Sequence, residues 1–200
     1  MSVSAEQIKA LREQTGAGVL ECRRALEEAS GDLHKAKELL RARGLALAES
    51  RAERVAAEGL VEVYSHGEGR LGVMIEVNCE TDFVARSEPF RHFVHEMALQ
   101  VAAGAPRWVR PEDVPATVLE AERAQARQQA QAEAKPEAVI ERIVQGKLDK
   151  FFDEACLTRQ VYVRDENKKV AEVLQEVVLA TRENIQIRRF QRWEVGEPIG

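Results

Sequence analysis

What this sequence lacks narrows the reading before any motif is considered. It has no excess of basic charge: 29 Lys and Arg against 34 Asp and Glu leave a net charge of -5, mixed along the chain rather than gathered into blocks. Phosphate binding needs a basic surface, so a wrapped nucleic acid is not expected as the partner. A local cluster at Arg188, Arg189 and Arg192 leaves two readings open, a phosphate site or charges that one face of a strand shows to water. Cysteine is scarce and odd in number, with Cys22, Cys79 and Cys156 widely spaced in apolar settings. That usage fits reduced core thiols in the cytosol rather than a disulfide framework. No run approaches the roughly 18 apolar residues of a membrane span. Residues 2–13 are polar without a signal-like apolar centre, so neither export nor membrane insertion is expected. No G-x-x-x-x-G-K-[ST] loop and no G-x-G-x-x-G turn occurs, so the chain is expected to hold no nucleotide cofactor of its own.

What is present is strongly periodic. Ser4 followed three residues later by Gln7 is a capping-box signature, and Ile8 and Leu11 supply the inward side of a first helix. Thr15-Gly16-Ala17-Gly18 ends it, and Val19, Leu20, Cys22, Ala25, Leu26 and Ala29 make the apolar set of a second. Ser30-Gly31 closes that helix, and Asp32 caps a third carrying Leu33, Ala36, Leu39 and Leu40, with Gly44 where a C-terminal cap belongs. Three short helices of about 45 residues sit near the lower limit of independent stability, which suits a docking module better than an active site. Residues 45–58, alanine-rich and charged, read as a linker helix. The expected division is residues 1–53 for this module and its linker, then 54–200 for a core domain.

The core domain opens with a hairpin, Leu60 to Tyr64 pairing back on Leu71 to Cys79 across His66-Gly67-Glu68-Gly69. Leu71, Val73, Ile75, Val77 and Cys79 share one strand face, because successive side chains alternate across a sheet. Phe90, Phe93, Val94, Met97, Ala98 and Val101 then form a helical stripe that Gly104 and Pro106 bring to an end. Residues 116–157 predict a helical hairpin standing off the body, its base at Leu119 and Phe151 and its tip at Lys135-Pro136. The stretch 124–130 has no large hydrophobe and is not expected to be core. A partner-contact role and a passive spacer suit this hairpin equally. Val161 to Val163 predicts a strand, and Asp165-Glu166-Asn167 a turn into a helix striped by Val170, Val173, Leu174, Val177 and Val178, with Asn184 as its cap. The last strand, Ile185 to Val195, changes phase at Arg189-Phe190, which predicts a bulge or a strand covered on both faces, as by a second subunit. The fold class is α+β, a small antiparallel sheet packed by helices.

Chemistry is harder to place. Cys79 with His66, His92 or His95 has the residue types of a cysteine hydrolase, but on the apolar face of a strand a thiol is poorly reactive. His92 and His95 lie three apart on a helix without a second ligand pair at zinc-like spacing, so no metal site is expected. Asp82-Phe83 is different: a carboxylate beside a large ring in a short connection is required by neither turn chemistry nor packing. Phe83 is either a core ring behind an acidic helix start or a wedge held outward by a rigid corner.

The corner Asn78-Cys79-Glu80-Thr81-Asp82-Phe83-Val84-Ala85-Arg86 closely resembles the signature of the bacterial elongation factor Ts family. Thr15-Gly16-Ala17-Gly18, Lys135-Pro136, Arg188-Arg189-Phe190 and Trp193-Glu194-Val195-Gly196 extend the resemblance over residues 4–196. It differs at Val19 and Leu20, where the family commonly has two methionines, at Ser87 for asparagine and at Ala134 for glycine. The resemblance implies a UBA-like helical module and guanine-nucleotide exchange on elongation factor Tu, without enzymatic chemistry or cofactor. It implies that Thr81, Asp82, Phe83 and Val84 act near Tu's magnesium site, while Gly16, Ala17, Gly18, Val19 and Leu20 dock on its nucleotide domain. One core and one hairpin are similar to the short form of the family, implying a cytoplasmic homodimer and a two-to-two complex with Tu, with no direct nucleic-acid contact. Two rivals are a general docking module indifferent to Phe83 and a small-molecule hydrolase using Cys79.

Overall fold

A computed structural model describes residues 3–132 and 136–198. The expected hairpin tip at Lys135, and Ala134 before it, lie outside the described residues. In chain order the elements are helices α1 (Ala5–Thr15), α2 (Val19–Glu28) and α3 (Leu33–Arg51), strands β1 (Glu58–His66) and β2 (Leu71–Cys79), and helices α4 (Asp82–Ala85), α5 (Glu88–Gly104), α6 (Ala116–Ala132) and α7 (Glu137–Ala155). Strands β3 (Val161–Tyr162) and β4 (Asp165–Lys169), helix α8 (Val170–Thr181) and strand β5 (Gln186–Glu194) complete an α+β fold. The chain divides into two compact units, Met1–Leu99 with Ala171–Gly200, and Gln100–Val170.

In the first unit the local signals act as read. Ser4 Oγ accepts from Gln7 N at 3.2 Å while Gln7 Oε1 accepts from Ser4 N at 3.0 Å, so the capping box starts α1. Gly16, at φ 66°, ends it in a left-handed conformation that an L side chain resists. Asp32 Oδ1 accepts from His34 N and Lys35 N and starts α3. Leu11, Cys22, Ala25, Leu26, Ala36 and Leu40 are buried together, and Leu179 of α8 joins the same cluster. Three short helices bury little apolar surface among themselves, and α8 adds to it.

The sheet has the order β1-β2-β5, antiparallel throughout, with β2 in the centre. Val73, Ile75, Val77 and Cys79 are fully withdrawn from water, as are Phe90, Val94, Met97 and Ala98 of α5. Glu62 and Tyr64, which pair with Ile75 and Val73, meet His95 of α5 through a 3.0 Å hydrogen bond and an edge-on ring contact. Helix α5 therefore lies on the buried side of the sheet. Glu76 pairs with Arg189 and Val77 with Ile187, leaving Arg188 as the extra residue of a bulge, one position from the expected phase shift.

In the second unit, α6 and α7 form the hairpin. Ala126 and Ala130 are buried with Ile140, Val144 and Leu148, and Arg127 of α6 pairs with Glu137 and Glu141 of α7. The expectation that 124–130 contributes no core is corrected: alanines are small enough to let a partner helix's larger side chains seat on them. Strand β3 is shorter than expected and pairs with β4.

Four further expectations are corrected. Helix α3 does not stop at Gly44 but runs to Arg51, so there is no separate linker helix. An interior glycine costs a helix only about 1 kcal/mol, and here it admits a close neighbour, since a Cβ on Gly44 would lie 3.2 Å from the Gln175 carbonyl oxygen of α8. Asp165–Lys169 is a strand rather than a turn, its polar sequence hiding the backbone pairing that Val161 imposes. Asn184 does not cap α8: Arg182 takes the left-handed position at φ 60°, and Asn184 is buried with its amide donating to the Arg54 carbonyl at 2.7 Å. Val19 and Leu20, counted in the one apolar set of α2, do not share its burial, because α2 turns Cys22, Ala25 and Leu26 to the core.

Candidate partner-binding site

The corner after β2 is a short helix rather than a bare connection. Thr81 has extended dihedrals and its Oγ1 accepts from Val84 N at 3.3 Å, so it is the N-cap of α4. Ser87 Oγ donates to the Val84 carbonyl at 2.7 Å, and α5 follows at Glu88. Ala85 is buried and Phe83 is 83% exposed, so the four-residue helix turns a small side chain in and the large ring out. The core reading of Phe83 is thereby excluded. Asp82, at the start of α4, forms a 3.1 Å ion pair with Arg86, a surface contact that salt and water weaken.

The residues around the corner hold it from several directions. Gly59 of β1 pairs with Asn78, and Asn78 Nδ2 donates to the Glu58 carbonyl at 3.2 Å. Glu183 Oε2 accepts from both Glu80 N and Thr81 N at 3.0 Å, and its Oε1 accepts from the Thr81 hydroxyl at 2.6 Å. Glu80 Oε1 accepts from Asn184 N at 2.7 Å, and this hydrogen bond, then Arg54 and Arg51, holds the Glu80 carboxyl below its ordinary pKa. Glu183 and Asn184 carry no sequence signal for such a role, since they join the corner from about a hundred residues away.

The cysteine alternative fails on the same geometry. Cys79 is fully buried, its Sγ donates to the Thr81 carbonyl at 3.2 Å, and burial, then the Glu183 charge, pushes its pKa up to about 11. A thiol so disfavoured as thiolate is a poor nucleophile. Among the described residues no group of three or more His, Cys, Asp and Glu is placed to hold a metal ion, and no helix is long and apolar enough to cross a membrane.

Two other surfaces carry apolar groups to water. At the start of α2, Gly16, Gly18, Val19 and Leu20 are exposed, Leu20 by 67%. Ala17 differs from its neighbours: it is fully buried, so its side chain closes the α1–α2 corner and cannot face a partner. On the outer face of the sheet, Val61 and Val63 of β1, Met74 of β2 and Trp193 of β5 are all exposed. Their registers, Val63 opposite Met74 and Trp193 opposite Gly72, put them on one side of three adjacent strands. The arginines nearby are answered by acids: Arg188 and Arg189 by Glu76, at 3.4 and 2.7 Å, and Arg192 by Glu194 and Glu197. The Arg189 hydrogen bond lowers the Glu76 pKa, consistent with a compensated pair rather than a vacant phosphate site.

Residues 25–197 match the family model described as Elongation factor TS. The chain is similar to Elongation factor Ts of Caldanaerobacter subterraneus subsp. tengcongensis, 54% identical over 197 residues covering 98% of both chains. It is likewise 53% identical to Elongation factor Ts of Thermotoga neapolitana, covering 98% of this chain and 99% of the relative. Elongation factor Ts of Coprothermobacter proteolyticus is 51% identical, with 98% of this chain and all of the relative covered.

Proposed function

Because the chain belongs to the elongation factor Ts family, we propose that it is the guanine-nucleotide exchange factor for elongation factor Tu in translation elongation. It binds the GDP-bound form, promotes GDP release by disturbing the magnesium and phosphate site, and stays on the nucleotide-free form until GTP binds. The observation that carries this reading is the outward ring of Phe83 on a braced turn, beside the Asp82 carboxylate. Burying one phenylalanine ring is worth roughly 1.5–3 kcal/mol, enough to help hold a partner's helix displaced. The carboxylate, or the displacement itself, then disturbs a magnesium ion held mainly by water and phosphate oxygens.

Exchange needs no covalent step, so the factor is not an enzyme. Coupling is mutual: a factor that weakens GDP binding is itself expelled by nucleotide. A fall of about 10⁴-fold in nucleotide affinity needs roughly 5.5 kcal/mol of differential binding, more than one ring supplies. The helical module of residues 1–53 shares it, docking through Gly16, Gly18, Val19 and Leu20 on the nucleotide domain, and the core of 54–200 presents the wedge. This role belongs in the cytoplasm. The test is release of a fluorescent GDP analogue from Tu in a stopped-flow instrument: the chain accelerates release strongly and saturably, and a rate unchanged by saturating chain rejects the exchange reading.

A homodimer with a two-to-two complex is supported by the outer sheet face, where Val61, Val63, Met74 and Trp193 expose apolar side chains on three adjacent strands. Trp193, 65% exposed, is its largest side chain, and aromatic side chains dominate interface energetics. At micromolar concentration the chain is expected to sediment as a dimer and Trp193→Glu as a monomer with unchanged circular dichroism. A variant that still sediments as a dimer moves the interface elsewhere.

A further inference from the structure

Helix α4 is too short to hold itself. Four residues do not offset the cost of helix nucleation, and its first amides have no partners inside the helix. Its direction is therefore set from outside, by the buried Ala85 and by hydrogen bonds of which three end on one side chain. The Glu183 carboxylate, in the turn between α8 and β5, takes up the Glu80 and Thr81 amides with one oxygen and the Thr81 hydroxyl with the other. That hydroxyl is the cap of α4, since its oxygen accepts from Val84 N. Having given its single proton to Glu183, it is left oriented with a lone pair toward that amide.

The grip is reciprocal. As Glu183 holds the backbone of Glu80 and Thr81, Glu80 holds the Asn184 amide at 2.7 Å. Asn184 in turn donates to the Arg54 and Ala52 carbonyls at 2.7 and 3.4 Å, and the Arg51 and Arg54 guanidinium groups lie 3.5 and 3.4 Å from Glu80. Arg51 is the last residue of α3, so the end of the helical module and the corner are tied into the same knot. We infer that Glu183 is a positioning residue for exchange: it fixes the direction of α4, and with it the Phe83 ring, relative to the helical module. A ring on a yielding turn still makes contact, but it recoils when pushed. Its burial then supports binding without forcing the partner's helix aside, so the loss falls on the rate from the bound complex rather than on affinity.

This inference rests on the exchange reading, and the concentration dependence of GDP release from Tu separates the two. Charge-assisted hydrogen bonds are strong enough that Glu183→Ala is expected to lower the limiting release rate about tenfold, with the half-saturating concentration within about threefold of wild type. Glu183→Gln, whose amide oxygen still accepts from Glu80 N and Thr81 N, is expected to recover to within about threefold of the wild-type limiting rate. An unchanged limiting rate in Glu183→Ala overturns the inference, as does a loss confined to the half-saturating concentration, or Gln performing no better than Ala. If Glu183→Ala does not fold, Thr81→Val removes the same hydroxyl link at nearly constant shape. Its limiting rate must then fall at least about threefold at unchanged half-saturation, and an undiminished rate overturns the inference. A wild type that fails to accelerate release overturns the exchange reading and the inference together, whereas a fully active Glu183→Ala overturns only the inference.

Discussion

Replacing Phe83 by alanine is expected to lower the limiting rate of GDP release from elongation factor Tu by about ten- to a hundredfold while leaving the chain as stable as before. The two halves of this expectation come from one number. The ring is 83% exposed, so it buries almost nothing in the free chain and its loss costs the fold little. On the exchange reading the same ring becomes buried against Tu, and roughly 1.5–3 kcal/mol of burial corresponds to about one to two powers of ten. Binding to Tu is expected to persist in Phe83→Ala because the proposed docking residues Val19 and Leu20 lie on α2, whose packing the substitution does not touch. Stopped-flow release and thermal unfolding of the same preparation check both halves. If the variant accelerates release as well as wild type, the wedge mechanism fails and the helical module carries exchange, whereas the general docking rival requires that neither protein accelerates release. A large fall in melting temperature would show instead that the ring supports the fold.

Gly59→Ala is expected to be strongly destabilising, although it adds a single methyl group in a strand where alanine is ordinarily tolerated. Gly59 has φ 149°, where an L side chain is strained, and its Cβ would lie 2.2 Å from the Val77 carbonyl oxygen and 2.8 Å from the Asn78 Cα. Neither atom can swing aside, since both belong to the backbone of the central strand. Backbone strain and overpacking together point to a loss of about 2–5 kcal/mol, or on the order of 10 °C in melting temperature for a chain of this size. Far-ultraviolet circular dichroism on heating measures it, and a shift below about 2 °C would mean that β1 can part from β2 at this point without consequence. The position bears on function because Gly59 pairs with Asn78, the residue from which the chain enters the corner. A parted β1 would release Asn78 and loosen the base of α4. Phe83→Ala and Gly59→Ala thus make opposite pairs of expectations: activity lost with stability kept, and stability lost first.

Much of this protein is determined by its sequence alone, through interactions that span few residues. The Ser4–Gln7 box, the Asp32 cap and the left-handed Gly16 are readable because capping connects groups two to four residues apart. The β2 face and the α5 stripe are readable because alternation and helical periodicity directly record which side meets the core. Asp82-Phe83 stood out by the same logic, as a pairing for which local structure had no use.

What only the tertiary structure decided depends on partners far away in the chain. Periodicity could not say whether Phe83 pointed in or out, because a four-residue helix is shorter than the pattern needed to define a face. Gly44 reads locally as a stop, but its missing side chain leaves room for the backbone of α8 at Gln175. Asn184 reads locally as a cap, but the fold uses it to hold Arg54 and Glu80. Strand β4 is hidden because its residues are polar and only its ends, Asp165 and Lys169, pair with β3, and such pairing leaves no hydrophobic trace. Glu183 was invisible for the most general reason: a carboxylate on a polar turn looks like any solvated surface charge. Only the folded chain brings the Glu80 and Thr81 amides to it and makes it the brace of the corner.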